Sequence, residues 1–189
     1  MGFLKKVVFL DRDGTINRDS ADYIKSRSEF NFIPGSLEAI RDLTANGFAS
    51  IVITNQSGLA RKFITLAELD AMHALMNRAV AAAGGKITDI FFCPHLPDEG
   101  CECRKPAPGL IYQAKKKYNI ELADSIMVGD HVKDIACGRN AGCGMTVLVK
   151  SGLDPDVEKE LKIKPISTDY VAGNLFEAAE WIIDHHSSD

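Results

Sequence analysis

Short apolar runs alternate with stretches of helical periodicity along most of the chain. The apolar runs are rich in β-branched residues and predict strands at residues 7–10, 49–54, 87–92, 125–128 and 146–149, with a short edge strand near Tyr170. Apolar positions three and four residues apart predict helices at residues 36–47, 65–83, 109–118, 132–141, 156–161 and 175–186. Strands that alternate with helices are typical of an α/β fold, here a Rossmann-like doubly wound parallel sheet.

The composition narrows the class of protein. With 189 residues, of which 46% are hydrophobic and 25% charged, we expect residues 1–189 to form one domain. No apolar run reaches the roughly 18 residues that a membrane span needs, and too few apolar residues follow Lys5 and Lys6 for a signal peptide. A net charge of −4 argues against a nucleic-acid partner. We therefore expect a cytoplasmic protein without a membrane or nucleic-acid partner, and we expect it to be a monomer.

The first predicted strand ends on two carboxylates. Asp11 and Asp13 follow the apolar residues 7–10, and Gly14 lets the chain turn as it leaves the sheet. In open α/β sheets, ligands bind beyond the carboxyl ends of the strands, so this placement favours metal binding or catalysis. Taken alone, the pair is equally compatible with one Asp that caps a turn and another that is only solvated.

Three further polar segments follow predicted strands. They are residues 54–56, residues 104–106 and residues 129–134. Because parallel strands present their carboxyl ends at one edge of a sheet, we expect these segments to converge on Asp11. In order and in residue type, the four segments resemble the four motifs of the haloacid dehalogenase superfamily of phosphohydrolases, and the resemblance covers residues 7–150.

This resemblance implies a role for each residue at the shared edge. Asp11 would be the nucleophile that forms an aspartyl-phosphate, and Asp13 would act as general acid and then as general base, for which a raised pKa is expected. Magnesium would be held by Asp11, the main-chain carbonyl of Asp13 and Asp130. Thr54 and the amides after it would bind phosphate oxygens, and Lys105 would neutralise negative charge that develops during the reaction.

The lengths and spacings around the motifs predict an open site and a supporting role for Asp134. Only a short polar stretch separates the first motif from the next helix, so we expect a capless enzyme with an open site. Asp134 lies one helical turn beyond Asp130 and would orient Lys105 or the metal rather than bind the metal itself.

A second group of metal ligands lies within residues 93–103. It contains three thiols and one imidazole, the usual ligands of a closed tetrahedral zinc site: Cys93, His95, Cys101 and Cys103. The spacing is more compact than in common zinc motifs, and a buried Cys93 with incidental neighbours is the alternative. We expect a structural zinc-binding loop that holds Arg104 and Lys105 at the edge of the active site. Cys137 and Cys143 lie outside this loop and are expected to pack in the core.

The residues around these motifs narrow the resemblance. Residues 54–61 and the Cys-Arg-Lys-Pro sequence at 103–106 resemble the heptose-bisphosphate phosphatases, with the histidinol-phosphatases as near relatives. The resemblance implies removal of the 7-phosphate of D-glycero-D-manno-heptose 1,7-bisphosphate, a step of lipopolysaccharide biosynthesis. It also implies contacts with phosphate or sugar for Asp19, Tyr23, Thr54, Asn55, Gln56, Ser57, Arg104, Lys105 and His131. A histidinol-phosphate phosphatase and a non-catalytic zinc-stabilised binding module are the alternatives.

Overall fold

The computed structural model describes residues 4–164 and 166–186. Its strands are β1 (Val7–Leu10), β2 (Ala49–Asn55), β3 (Ile87–Cys93), β4 (Ser125–Gly129), β5 (Met145–Val149) and β6 (Tyr170–Ala172). Its helices are α1 (Ser36–Ala45), α2 (Leu66–Ala82), α3 (Gly109–Tyr118), α4 (Val132–Ala141), α5 (Val157–Ile163) and α6 (Leu175–His186). Short 3₁₀ helices occupy Pro97–Glu99 and Leu122–Asp124. The predicted α/β fold is confirmed, with element ends displaced by only one or two residues.

All six strands are parallel and form one sheet in the order β3-β2-β1-β4-β5-β6. The strand β1 therefore lies between β2 and β4, where the order of the sheet reverses. Ligands of doubly wound sheets bind beyond the carboxyl ends of the strands at such a reversal point. The loops that follow β1, β2 and β4 meet at this place, which positions the site described below.

The two faces of β1 pack against different helices. Val8 and Leu10 belong to a buried cluster with α1, α2 and α6. Val7 and Phe9 belong to a second cluster with α3 and α4. Because side chains of a strand alternate between faces, the side chains of the residues directly after β1 lie alternately on the side of the first cluster and on the side of the second.

The ends of two helices follow from local sequence. Thr65 caps α2 through its side chain, which accepts a hydrogen bond from the Glu68 backbone amide at 3.2 Å, while the Glu68 carboxylate accepts from the Thr65 amide. This is the predicted capping box. At α4, the Nδ1 atom of His131 accepts from the Lys133 amide at 3.2 Å, and Asp134 accepts from the His131 amide at 3.0 Å. The cap of α4 thus fixes the loop after β4.

No inserted cap follows β1. Residues 11–35 contain no helix and make only isolated bridges, and the chain passes directly from this segment into α1. Within residues 4–164 and 166–186, no helix has both the length and the apolar character needed to cross a membrane.

Candidate active site

A buried lysine lies at the base of the site. The Nζ atom of Lys105 is 2.7 Å from Asp11 Oδ1 and 2.8 Å from Asp134 Oδ1, and it donates to the main-chain oxygen of Ile53 at 2.8 Å. An ammonium group has three hydrogens, and these three acceptors can use all of them. The Lys105 side chain is 0% exposed. Although burial opposes its charge, the two carboxylates raise the pKa of Lys105, so the group is fixed as a cation.

Three carboxylates crowd around this cation. One oxygen from each of Asp11, Asp130 and Asp134 lies within 4.8 Å of the others. Burial raises the pKa of Asp11 to about 6, with Lys105 opposing the shift. Burial, together with the charges of Asp134 and Asp11, raises the pKa of Asp130 to about 9. The negative charge of the group exceeds that of its one lysine, and oxygen ligands in this number suit a hard divalent cation.

Two glycines leave room for Asp130. A Cβ atom at Gly14, where φ is +81°, would lie 2.3 Å from Asp130 Oδ2, and one at Gly152 would lie 2.1 Å from the same atom. The hydroxyl of Ser151 donates to the main-chain oxygen of Gly14 at 2.7 Å and ties the two loops together. The carboxylate of Asp130 is therefore enclosed by backbone, which explains why glycine follows Asp13 in the first motif.

Asp134 is positioned by both of its oxygens. Besides its ion pair with Lys105, it accepts a hydrogen bond from the His131 amide through Oδ2 at 3.0 Å, and its side chain is 0% exposed. These contacts agree with the predicted orienting role towards Lys105.

The expectation of a raised pKa for Asp13 is wrong. Burial alone would raise it, but Arg12 donates to the carboxylate through Nε at 3.0 Å and Nη2 at 2.8 Å, and Asn17 and Gln56 add hydrogen bonds at 2.8 and 2.9 Å. Together these donors hold the pKa of Asp13 below its ordinary value. Nothing in the strand pattern predicts that Arg12 and Asn17 belong to the site.

The residues at the carboxyl end of β2 connect two motifs. The side-chain amide of Asn55 accepts from the Lys105 amide at 3.1 Å and donates to the Lys105 carbonyl at 3.3 Å. Gln56 Nε2 donates to Thr54 Oγ1 and to Asp13 Oδ2, both at 2.9 Å. Asn55 thus holds the main chain of Lys105 against β2, and Gln56 links the carboxylate of Asp13 to Thr54. Their predicted contacts with a substrate stay predictions.

A cavity of about 240 Å³ opens above these groups. The predicted site residues that line it are Asp11, Asp13, Asp19, Tyr23, Thr54, Asn55, Gln56, Ser57, Arg104, Asp130 and His131. Lys105 lies beneath the cavity rather than on its wall, because its side chain is directed at Asp11 and Asp134. Ser20, from the loop between Asp19 and Tyr23, also lines the cavity. Four further lining residues were not predicted from the sequence: Arg12, Ile24, Ile64 and Lys133. The predicted convergence is therefore confirmed, while the individual roles stay predictions.

Tyr23 and His131 stand at the rim. Tyr23 has a φ of +65°, uncommon for a residue with a side chain, and its ring meets that of Phe63 edge to face at 5.3 Å. His131 is partly buried, and burial together with the charge of Lys133 lowers its pKa. With Nδ1 used as the acceptor in the α4 cap, a neutral His131 carries its hydrogen on Nε2.

The thiols and imidazole of residues 93–103 form one compact cluster. The Sγ atom of Cys103 is 3.2 Å from that of Cys93, 3.5 Å from that of Cys101 and 3.2 Å from Nδ1 of His95. Tetrahedral ligands about 2.3 Å from a zinc ion would be separated by about 3.8 Å, close to this arrangement. The cluster can hold a metal ion.

The residues beside this cluster also follow the predictions. Arg104 donates to the main-chain oxygen of His95 at 3.2 Å, which joins the cluster to the cavity. Cys137 and Cys143 are buried outside the cluster, as predicted.

Comparisons with known proteins agree with this geometry. A family model described as HAD-hydrolase-like matches residues 102–178. The chain is 47% identical over 148 residues to the D-glycero-beta-D-manno-heptose-1,7-bisphosphate 7-phosphatase of Pseudomonas aeruginosa, which covers 78% of this chain and 83% of the relative. It is 38% identical to the Yersinia pestis enzyme of the same name, over 94% of this chain and 89% of the relative.

A solved structure extends the similarity to the fold. The crystal structure of D,D-heptose 1,7-bisphosphate phosphatase from B. bronchiseptica, complexed with magnesium and phosphate, superposes with a TM-score of 0.88 and 40% identity. The match covers 95% of this chain and 99% of that one. The chain belongs to the HAD-like family of phosphatases that contains the D-glycero-beta-D-manno-heptose-1,7-bisphosphate 7-phosphatases.

Proposed function

We propose that the protein removes the 7-phosphate of D-glycero-D-manno-heptose 1,7-bisphosphate through an aspartyl-phosphate on Asp11, as a cytoplasmic, monomeric enzyme whose single catalytic domain is residues 1–189. The observation that carries the proposal is the buried Asp11–Lys105 ion pair at 2.7 Å, at the base of a cavity that Asp130 also lines. This carboxylate is positioned to attack phosphorus. Lys105 is already removed from water in the folded protein, so it can compensate negative charge on the phosphoryl group without first losing a hydration shell. The sequence relatives are heptose 1,7-bisphosphate 7-phosphatases, which supports this substrate over histidinol phosphate.

The reaction then proceeds in two displacements. In the first, an Asp11 oxygen bonds to phosphorus while the bond from phosphorus to the sugar oxygen breaks, and the Asp13 carboxyl gives its proton to that oxygen. In the second, the Asp13 carboxylate takes a proton from water, whose oxygen bonds to phosphorus as the bond to Asp11 breaks. The hydrogen bonds around Asp13 favour its ionised form, which the second displacement uses. The first displacement uses the protonated carboxyl, so Asp13 must bind a proton against these hydrogen bonds before the sugar oxygen departs. The proton that Asp13 takes from water in the second displacement serves the next turnover. Lys105 stays a cation throughout.

Magnesium fits the carboxylate group. Asp11, Asp130 and the main-chain carbonyl of Asp13 would hold it, since both oxygens of Asp134 are engaged by Lys105 and the His131 amide. When bound, the ion would neutralise phosphate oxygens and polarise phosphorus. The residues that line the cavity would orient the substrate. Thr54 and the loop after it would bind the phosphate that is removed, while Arg104 and Lys133 would offer positive charge to the second phosphate.

The pH dependence of stability tests the carboxylate group. Asp130 ionises at the ordinary value of 3.8 when unfolded but at about 9 when folded, so between these values the folded state holds the extra proton. We therefore expect the melting temperature without added Mg²⁺ to fall as pH rises from 6 to 9. The increase on adding Mg²⁺ should grow over the same range, because the cation needs ionised ligands. Thermal melts of the protein and of Asp130→Asn check this, since the variant should lose most of both trends and keep only the part that Asp11 contributes near pH 6.

The cysteine cluster supports a structural zinc site. We propose that Cys93, His95, Cys101 and Cys103 bind Zn²⁺, with no open position for chemistry, and thereby fix the adjoining Arg104 and Lys105. The short loop has little apolar core of its own, so the ion takes the place of packing.

Replacement of Cys101 by serine tests the zinc proposal. We expect Cys101→Ser to lose about one equivalent of zinc and to melt about 10 °C lower. Loss of a metal site costs several kcal/mol of stability, and each kcal/mol lowers the melting temperature by about 2–4 °C in a chain of this size. Elemental analysis and thermal melts measure both. Cys143→Ser is the matched control, because Cys143 is buried outside the cluster. Equal zinc contents in the two variants would contradict the proposal.

A substrate panel tests the assigned activity. Mg²⁺-dependent phosphate release is expected to have a kcat/KM at least about 10²-fold higher for heptose 1,7-bisphosphate than for histidinol phosphate, because only the former offers a second anion to Arg104 and Lys133. Phosphate release measured at equal enzyme concentration decides between them. Comparable values for the two compounds would contradict the assignment of substrate.

A further inference from the structure

Arg12 is buried beside the active site and has no place in the reaction as described so far. Its side chain is only 1% exposed, although it carries a permanent charge. It follows Val8 and Leu10 in the alternation of β1, which directs it towards α2 and away from Lys105. A buried guanidinium is costly unless its hydrogen bonds are satisfied, so its partners indicate what it does.

The chief partner of Arg12 is the carboxylate of its neighbour. Nε donates to Asp13 Oδ1 at 3.0 Å, and Nη2 lies 2.8 Å from both carboxylate oxygens. Asn17 reaches only Oδ1 and Gln56 reaches only Oδ2. Among the side chains of residues 4–164 and 166–186, Arg12 alone donates hydrogen bonds to both oxygens of Asp13. Contact at both oxygens fixes the plane of the carboxylate.

Two core residues, His73 and Phe30, contact the guanidinium of Arg12 in addition to Asp13. Its Nη1 atom lies 3.4 Å from Nε2 of His73 on α2, and its guanidinium lies 5.6 Å from the centre of the Phe30 ring. Burial and the charge of Arg12 lower the pKa of His73 to about 4, so the imidazole is neutral and its Nε2 can accept a hydrogen bond. The ring of His73 is itself packed near that of Phe92, at 6.1 Å between centres. Arg12 is therefore held on both sides.

We propose that Arg12 is a positioning residue, which sets the plane of the Asp13 carboxyl for proton transfer with the leaving-group oxygen while His73 and Phe30 hold the guanidinium in place. The inference rests on the proposed role of Asp13 as general acid and base. A lysine at this position would keep the charge but lose the fork that contacts both oxygens.

The experiment compares two leaving groups. The kcat/KM is measured for heptose 1,7-bisphosphate, whose sugar alkoxide needs a proton to depart, and for p-nitrophenyl phosphate, whose phenolate departs without one. For Arg12→Lys we expect the ratio of the two values to fall by about 10-fold or more, and for Asp13→Asn by about 10²-fold or more. Arg41→Lys is the matched control, because Arg41 makes an exposed pair with Asp42 at 2.8 Å, and its ratio should not change.

Each outcome decides the question. Equal losses for both substrates in Arg12→Lys would assign Arg12 a merely structural role and overturn the inference. If Asp13→Asn itself leaves the ratio unchanged, the proposed acid role of Asp13 fails instead. The same ratio of kcat/KM values is measured for Arg12→Gln, which lacks both the charge and the fork of the guanidinium, and it should fall at least as far as for Arg12→Lys. If neither Arg12 variant folds, as judged by circular dichroism and thermal melts, Arg12 serves the fold and the inference is equally overturned.

Discussion

Lys105→Met is expected to lower kcat by about 10³-fold and the free energy of unfolding by about 3–5 kcal/mol. The side chain of Lys105 is 0% exposed and is the counter-charge that Asp11 and Asp134 share at 2.7 and 2.8 Å. Without it, two buried carboxylates face one another, and charge that develops on the transferred phosphoryl group has one cation fewer to compensate it. Steady-state kinetics and chemical unfolding measure the two effects on the same preparation.

Lys117→Met is the matched control for this variant. Lys117 also pairs with an aspartate, Asp89, at 2.7 Å, but its side chain is 48% exposed. An exposed pair contributes only about 0–1 kcal/mol, so this variant should stay close to the parent protein in stability and in kcat. Similar losses in the two lysine variants would show that burial of Lys105 is not what matters.

Asp11→Asn is expected to lower kcat by about 10⁴-fold or more, because an amide cannot attack phosphorus and no neighbouring group can replace it. Its effect on stability should be small. Burial already raises the pKa of Asp11 to about 6, so the folded state gains little from its ionised form, and Asp134 still pairs with Lys105. Phosphate release and thermal melts are compared with Asp42→Asn, a surface carboxylate variant whose exposed partner is Arg41. Such an activity loss in a well-folded variant would also exclude a non-catalytic binding module.

The sequence predicts the positions of the elements because their signals are local. Periodicity, the capping box at Thr65 and the turn at Gly14 all depend on a few neighbouring residues, and each appears in the structure. The convergence of the polar loops follows from parallel strands alone. Lys105 and Asp130 could therefore be expected at one edge of the sheet before any coordinates were known.

The hydrogen-bond network inside the site was harder to predict because it depends on tertiary packing. A raised pKa for Asp13 follows from its proposed chemistry, whereas the hydrogen bonds and charge of Arg12, Asn17 and Gln56 lower that pKa. One signal did exist. Arg12 lies just beyond a buried strand and between two carboxylates, Asp11 and Asp13, and a charge that becomes buried requires a partner of opposite charge nearby.

The partners of Asn55 carried no such signal. Its amide bonds the main chain of Lys105, fifty positions further along the chain, and only the packing of β2 against the loop before α3 makes this contact possible. A residue assigned to substrate contact by its motif therefore also organises the site from within.

The identity of the phosphorylated residue tests the central claim most directly. Wild-type protein is mixed with heptose 1,7-bisphosphate and Mg²⁺, quenched in acid within a single turnover and reduced with borohydride, which converts an acyl phosphate to an alcohol that peptide mass spectrometry can locate. We predict that the alcohol is found at position 11 and that Asp11→Asn yields none. Modification at any other residue, or turnover in which no acyl phosphate is trapped, would contradict the account.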